Sequence, residues 1–181
     1  MGFCVFNNVA IATRYAQSKY RLGKVLIVDW DVHHGNGTQD VFYDDPSVFY
    51  FSVHQSSWYP WSGRKEETGR GKGLGTTLNC PLPRGAGRKE VLSAFGDQLA
   101  PAVSRFQPEL VLISAGFDAR SGDPLGRLKL TDADYRDITG LVMEMARGHA
   151  EGRVVSILEG GYNLSGLASA AVAHCGRLQQ G

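Results

Sequence analysis

Hydrophobic positions along this chain alternate between two periods, and the alternation predicts an α/β fold. Residues 24–32 (KVLIVDWDV) form a β-branched apolar run between Gly23 and a loop carrying Gly35 and Gly37, the pattern of a buried strand. Further strands are predicted at 48–53, around 77–82, at 110–114 and at 154–158, the last two as short buried strands. Helical spacing lies between them. Residues 5–19 place Val5, Val9, Ala12, Tyr15 and Ala16 on one face, and residues 88–106 read as a helix that Pro101 should kink or split. Thr131 is placed to cap a helix running to about Arg147, with Asp132 and Asp134 in its first turn to complement the dipole. An Ala-rich helix at 164–178 closes the pattern. Strands alternating with helices imply a largely parallel sheet. No repeat, linker or low-complexity tract interrupts the order, so the 181 residues read as one domain or part of one.

Composition narrows the function classes. The net charge is +1 and the charges are interspersed, so no long-range field favours nucleic acid or an anionic membrane. No apolar stretch approaches the ~20 residues a membrane helix needs, and Met1-Gly2-Phe3-Cys4 does not open a signal peptide. Cys4, Cys80 and Cys175 are odd in number, far apart and without a C-x-x-C pair. They read as free thiols in a reducing compartment, and the cytoplasm is the expected location. Two glycosylation sequons, Asn36-Gly37-Thr38 and Asn163-Leu164-Ser165, are read as chance matches.

Three predicted strand ends carry chemistry. Asp29, Asp31 and His33 are spaced two apart, so on a strand their side chains point one way and are expected to converge just past its carboxyl end. Asp118 follows the strand at 110–114, and Glu159-Gly160-Gly161-Tyr162-Asn163 follows the strand at 154–158. In a parallel sheet all three ends share one rim, where α/β proteins bind ligands. An Asp after a strand is usually a turn or cap residue, and a lone His there is usually structural, but three coincidences on one rim point to a site. Asp31, His33 and Asp118 would offer two anionic oxygens and a neutral nitrogen, a set suited to zinc with a coordination position left open. Tyr162 follows two glycines, which permit close backbone approach, and its phenol could donate to a developing oxyanion. A plain turn with a packed aromatic is the alternative. His34 points away from His33 and is expected to support the site from behind, as is His54, whereas His149 and His174 are expected to be bystanders. The alternating glycines Gly69, Gly71, Gly73 and Gly75 lead into a strand rather than a helix, so they are not read as a phosphate loop. Trp58-Tyr59-Pro60-Trp61 is either core or the wall of a channel for an acyl chain.

Taken together, GFCVFNNVAIA, VDWDVHHGNGTQ, FSVHQ, SAGFDARSGDPLG and LEGGYNL resemble the histone deacetylase family, nearer its class II and bacterial acetoin-utilisation-type members. The resemblance spans almost the whole chain. It implies the arginase/deacetylase-type parallel sheet flanked by helices, and zinc-dependent hydrolysis of an N-acyl amide, typically acetyl-lysine, in a protein or a small acylated amine. By position, Asp31, His33 and Asp118 match the family's zinc ligands and Tyr162 its carbonyl-polarising tyrosine. Phe3 and Tyr59 match the aromatic pair of the acyl-lysine tunnel, with Trp58 able to replace Tyr59 if the loop shifts. Gly2 matches a tunnel-wall glycine, and Gly160 belongs to the same lining. Asp29, with Asp31, His33, Ser52 and Val53, matches a structural potassium site. Asn36 is the class II form of a position where class I relatives carry an Asp. Leu125 stands where polyamine-selective relatives carry a glutamate, so a cationic polyamine is not favoured.

One departure stands against these matches. Family members carry a tandem His-His upstream of the Gly-Phe-Cys segment, and this chain starts immediately before that segment. The expectation is a C-terminal portion of the family domain, with residues 1–181 as a partial catalytic domain. An open sheet edge and self-association through it should follow. An arginase-like site with two metals is rejected, because the positions that would bridge the second metal are Gly35 and Arg120. A non-catalytic, metal-binding or interaction remnant is the third reading.

Overall fold

A computed structural model of the chain describes residues 3–180. Five parallel strands, β1 (Val25–Asp29), β2 (Val48–Gln55), β3 (Thr77–Leu82), β4 (Leu110–Ala115) and β5 (Val154–Leu158), lie in the order β3-β2-β1-β4-β5. The chain winds outward from β1 to β3, crosses back to β4, and winds outward again to β5. The crevice beyond the carboxyl ends of β1 and β4 is therefore the switch point of a doubly wound sheet, the place where such sheets bind ligands.

Alternation along the strands divides the core. Val25 and Ile27 face a layer made by α1 (Asn8–Tyr20) and α2 (Asn36–Phe42), against Val9, Ala16 and Phe42. Leu26 and Val28 face the other layer, with Phe95 and Leu99, then Tyr135, Ile138 and Val142, then Ala170. Those residues come from the helical stretch α3 (Arg88–Ser93) to α4 (Ala100–Phe106), from α5 (Asp132–His149) and from α6 (Leu164–Leu178). The capping box of Thr131 and Asp134 starts α5 as expected.

Four expectations need correction. Helix α1 begins at Asn8 because the Asn7 side chain accepts from the Ala10 amide at 2.9 Å, which leaves Val5 outside the helix and exposed. Pro101 does not split its helix; a π-helical stretch, Ala94–Leu99, precedes it and carries the chain into α4. Strand β5 is not buried, because it pairs only with β4, and Val155 and Leu158 are 49% and 60% exposed. Strand β1 stops at Asp29 rather than at residue 32. The Asp29 carboxylate accepts from the Asp31 amide at 3.1 Å and the Asp31 carboxylate from the His33 amide at 2.8 Å, two successive side-chain turns that draw the backbone out of the ladder.

Candidate active site

Those turns decide which residues meet. Asp29 does not join Asp31 and His33; its carboxylate is buried and accepts the Tyr50 hydroxyl at 2.9 Å. Asp31 and His33 instead meet Asp118, which follows β4. The ring nitrogen Nδ1 of His33 lies 2.9 Å from Asp31 Oδ1 and 3.1 Å from Asp118 Oδ2. One donor atom from each of the three residues lies within 4.8 Å of the others. The backbone locks both carboxylates from behind. Asp118 Oδ1 accepts from the Val32 amide at 2.8 Å, and Asp31 Oδ2 from the Gly160 amide at 2.9 Å. The β5 loop is itself clipped to the β4 loop, where the Phe117 amide donates to Gly160 O at 2.7 Å. Only glycine fits at position 160, since a Cβ there would collide with the carboxylates of Asp118 and Asp31.

The cluster is an electrostatic arrangement that a divalent cation fits. Asp118 is fully buried, and burial together with the Asp31 charge pushes its carboxyl up to about 7. Burial pushes the His33 imidazole down, but hydrogen bonds to Asp118 and Asp31 outweigh it and raise the ring to about 10. The His33 ring nitrogen bridges the two carboxylates. Two carboxylate oxygens and one imidazole nitrogen are a donor set that suits a zinc ion, and three protein ligands would leave a position open. The bridging carboxylates of a two-metal site are missing. Position 35 is glycine, and Arg120 is committed to Asp132 through Nε at 2.6 Å and Nη2 at 3.2 Å.

Asp31 and His33 line a cavity of about 900 Å³ together with Phe3, Trp58, Tyr59, Leu125, Gly160 and Tyr162 among others, while Asp118 is fully buried. Phe3 packs edge-on to Tyr162, with ring centres 5.8 Å apart, and Tyr59 packs edge-on to His33 at 6.3 Å. Trp58 does not take the place of Tyr59. Its indole donates to Leu125 O at 2.8 Å, and Arg127 stacks over its ring. Burial first, then the Asp118 and Asp31 charges, push the Tyr162 phenol up to about 12, so it stays a proton donor across the neutral range.

The supporting residues fall into two groups. His34 is buried, with Nδ1 2.8 Å from Ser62 Oγ and Nε2 3.0 Å from Gln39 Oε1. His54 accepts from Ser52 Oγ at 2.8 Å and donates to Gly63 O at 3.0 Å, and burial and the neighbouring His34 push its ring down to about 3. The two rings lie 4.8 Å apart and hold the end of the aromatic loop, a role their sequence context did not disclose. Asp29 is the cross-strand neighbour of Ser52, with buried Val53 next along β2. Burial and the Asp31 charge hold the Asp29 carboxyl well above the usual range. Asn36 opens α2, its amide donating to His34 O at 2.8 Å. Gly2 lies outside the described residues. Ser114 and Glu159, which the sequence reading gave no role, also line the cavity, and burial raises the Glu159 carboxyl. His174 is buried in the core between Thr139 and Ser156, away from the cavity. Among the described residues no helix is long and apolar enough to cross a membrane.

The chain is similar to known proteins in sequence and in fold. Residues 1–178 match the model of the histone deacetylase domain. The chain is 49% identical over 169 residues to "Histone deacetylase 10, chloroplastic" of Oryza sativa subsp. japonica, covering 93% of this chain and 38% of that protein. It is 47% identical over 173 residues to "Polyamine deacetylase HDAC10" of Homo sapiens, covering 92% of this chain and 25% of that protein. The crystal structure of the HDA15 HD domain superposes with a TM-score of 0.92 at 42% identity, over 99% of this chain and 51% of the other. The chain thus spans well under half the length of these curated relatives.

Proposed function

The chain belongs to the histone deacetylase family, and from that premise we propose that it hydrolyses the acyl amide of an acetyl-lysine or a similar acylated amine, using a zinc ion held by Asp31, His33 and Asp118. The observation that carries this reading is the meeting of Asp31 and His33, which line the cavity together with Tyr162, with the fully buried Asp118 carboxylate. A divalent ion bound there supplies Lewis acidity toward an amide carbonyl and toward water. The protein's own groups do the rest. The Tyr162 phenol donates to the carbonyl oxygen as negative charge develops on it, a contact that strengthens toward the transition state. Phe3 and Tyr59 flank the lysyl methylenes and exclude water. Leu125 leaves the rim without a carboxylate for a second ammonium group, which favours acetyl-lysine over an acetylated polyamine. The buried Asp29 carboxylate, with Ser52 beside it, suits a structural potassium ion. Free Cys4, Cys80 and Cys175 suit a reducing compartment.

Proton transfer is the unfilled role. Besides His33, the one described imidazole lining the cavity is His34, and both its ring nitrogens are engaged. A positioned acid–base group contributes ~10²–10⁴-fold, so these 181 residues alone are expected to turn over an acetylated peptide only in traces. Joined to the upstream segment of a relative that carries the His-His pair, they should become active. In that active protein Tyr162→Phe should lower turnover roughly 10²–10³-fold with one equivalent of zinc retained. Two equivalents of metal would overturn the mononuclear site. An active-site zinc without turnover, in the joined protein and on acetylated peptides and acylamines alike, would favour a metal-binding remnant.

A further inference from the structure

Building on the deacetylase reading, we infer that Asp123 is the positioning residue for Tyr162, tying the turn that carries the phenol to the turn that forms the cavity rim. Its carboxylate is buried and accepts three backbone amides. Oδ2 takes those of Tyr162 at 2.8 Å and Asn163 at 3.1 Å, and Oδ1 takes that of Leu125 at 2.8 Å. The segment around it is braced in turn. Arg127 Nη1 donates to the carbonyls of Asp123, Pro124 and Gly126 at 3.4, 3.0 and 2.7 Å, and the Arg127 amide donates to Gln55 Oε1 at 2.8 Å at the end of β2. Trp58 reaches the same segment through Leu125 O. One carboxylate thus joins the tyrosine turn, the Leu125 rim and, through that rim, the aromatic loop.

The tyrosine turn needs an outside anchor. Gly160 and Gly161 precede Tyr162, and Gly161 has a φ of 146°, so the chain just before the phenol is permissive. Asn163 caps α6 by accepting from Gly166 N with its side chain, which leaves its own amide and that of Tyr162 to be satisfied elsewhere. A carboxylate answers both, because it is acceptor-only on both oxygens. An asparagine does not. Its amide has one acceptor oxygen, and its NH₂ would face either Leu125 N–H or the pair from Tyr162 and Asn163.

Asp123→Asn is therefore the diagnostic variant. In protein that carries this chain and turns over an acetylated peptide, it should lower kcat roughly 10–100-fold, the scale of a misplacement of about 1 Å. KM should stay within about threefold and the zinc content unchanged. In a Tyr162→Phe background the same substitution should cost less than about threefold more, because two residues acting through one contact are non-additive. Unchanged kcat, or the full loss repeated in that background, would overturn the inference. A second measurement needs neither variant nor turnover. Amide exchange in the unaltered chain should find the Leu125, Tyr162 and Asn163 protons protected, and exchange as fast as in exposed loops would also overturn it. Absence of turnover in the unaltered protein would instead count against the deacetylase reading, leaving the tether to be judged by exchange.

Discussion

Strands β1 and β5 are each five residues long and nearly equal in apolar content, VLIVD against VVSIL, yet they live in different environments. Every residue of β1 is at most 3% exposed, whereas Leu158 in β5 is 60% exposed. Strand β1 is hydrogen-bonded on both sides and covered by helices on both faces; β5 is bonded only to β4. Position in the sheet therefore decides burial. It also decides chemistry, because the ends of β1 and β4 flank the switch point and deliver the three metal-binding candidates, while the end of β5 contributes Gly160 and Tyr162 as backing and wall.

The largest expected effect tests that contrast directly. Leu26→Ala should lower stability by about 2–5 kcal/mol, since it opens a cavity in a core with both neighbours in place. Leu158→Ala should cost less than about 1 kcal/mol, because most of that side chain is already in water. Chemical denaturation of both variants reads the difference, and equal losses would break the comparison.

Next comes the contact between the strand ends. Gly160→Ala drives a methyl into Asp118 and Asp31, and should weaken zinc about 10–100-fold, as loss of a ligand's supporting contact does. Competition against a chromophoric chelator measures it. Unchanged affinity would show that the β5 loop yields and does not back the site.

Protons sharpen the picture further. His33 holds its proton up to about 10 in the folded chain, against 6.5 unfolded. The folded state therefore binds the extra proton between those values. Its stabilisation is full below pH 6.5 and is lost as the pH rises through about 10, at no more than about 1.4 kcal/mol per pH unit. Asp118, raised to about 7, acts in the same direction at lower pH. Melting curves of the chelator-treated chain should fall across pH 6.5–10, and zinc should flatten them. A flat metal-free profile would mean that no proton is held at the β1 end.

The smallest effect belongs to the open edge. Leu158→Lys should change stability by no more than about 0.5 kcal/mol, yet reduce concentration-dependent association, because a lysine on an edge strand opposes pairing with another chain. Sedimentation velocity would show it, and association untouched by the lysine would place any contact elsewhere.

The sequence by itself determined the local elements and the chemical inventory. Apolar and β-branched runs marked each strand within a few residues, Thr131 and Asp134 marked the start of α5, and D-x-H with a later Asp marked three residues that meet and could hold a metal ion. These were legible because they depend on neighbours in the chain. Tertiary structure decided what depends on distant partners. Asp29 parted from Asp31 because side-chain turns ended β1 early and Tyr50, one strand over, was there to receive it. Val154–Leu158 read as buried because its composition matches a central strand, and only the strand order made it an edge. The packing of His34 on His54, and the reach of Asp123 to the amides of Tyr162 and Asn163, left no local signal, since in each case the partner lies about 20 to 40 residues away in the chain. Periodicity reports which face of an element is apolar; which elements stand next to one another is set by the winding of the sheet, and that winding brings Asp31, His33 and Asp118 to one crevice.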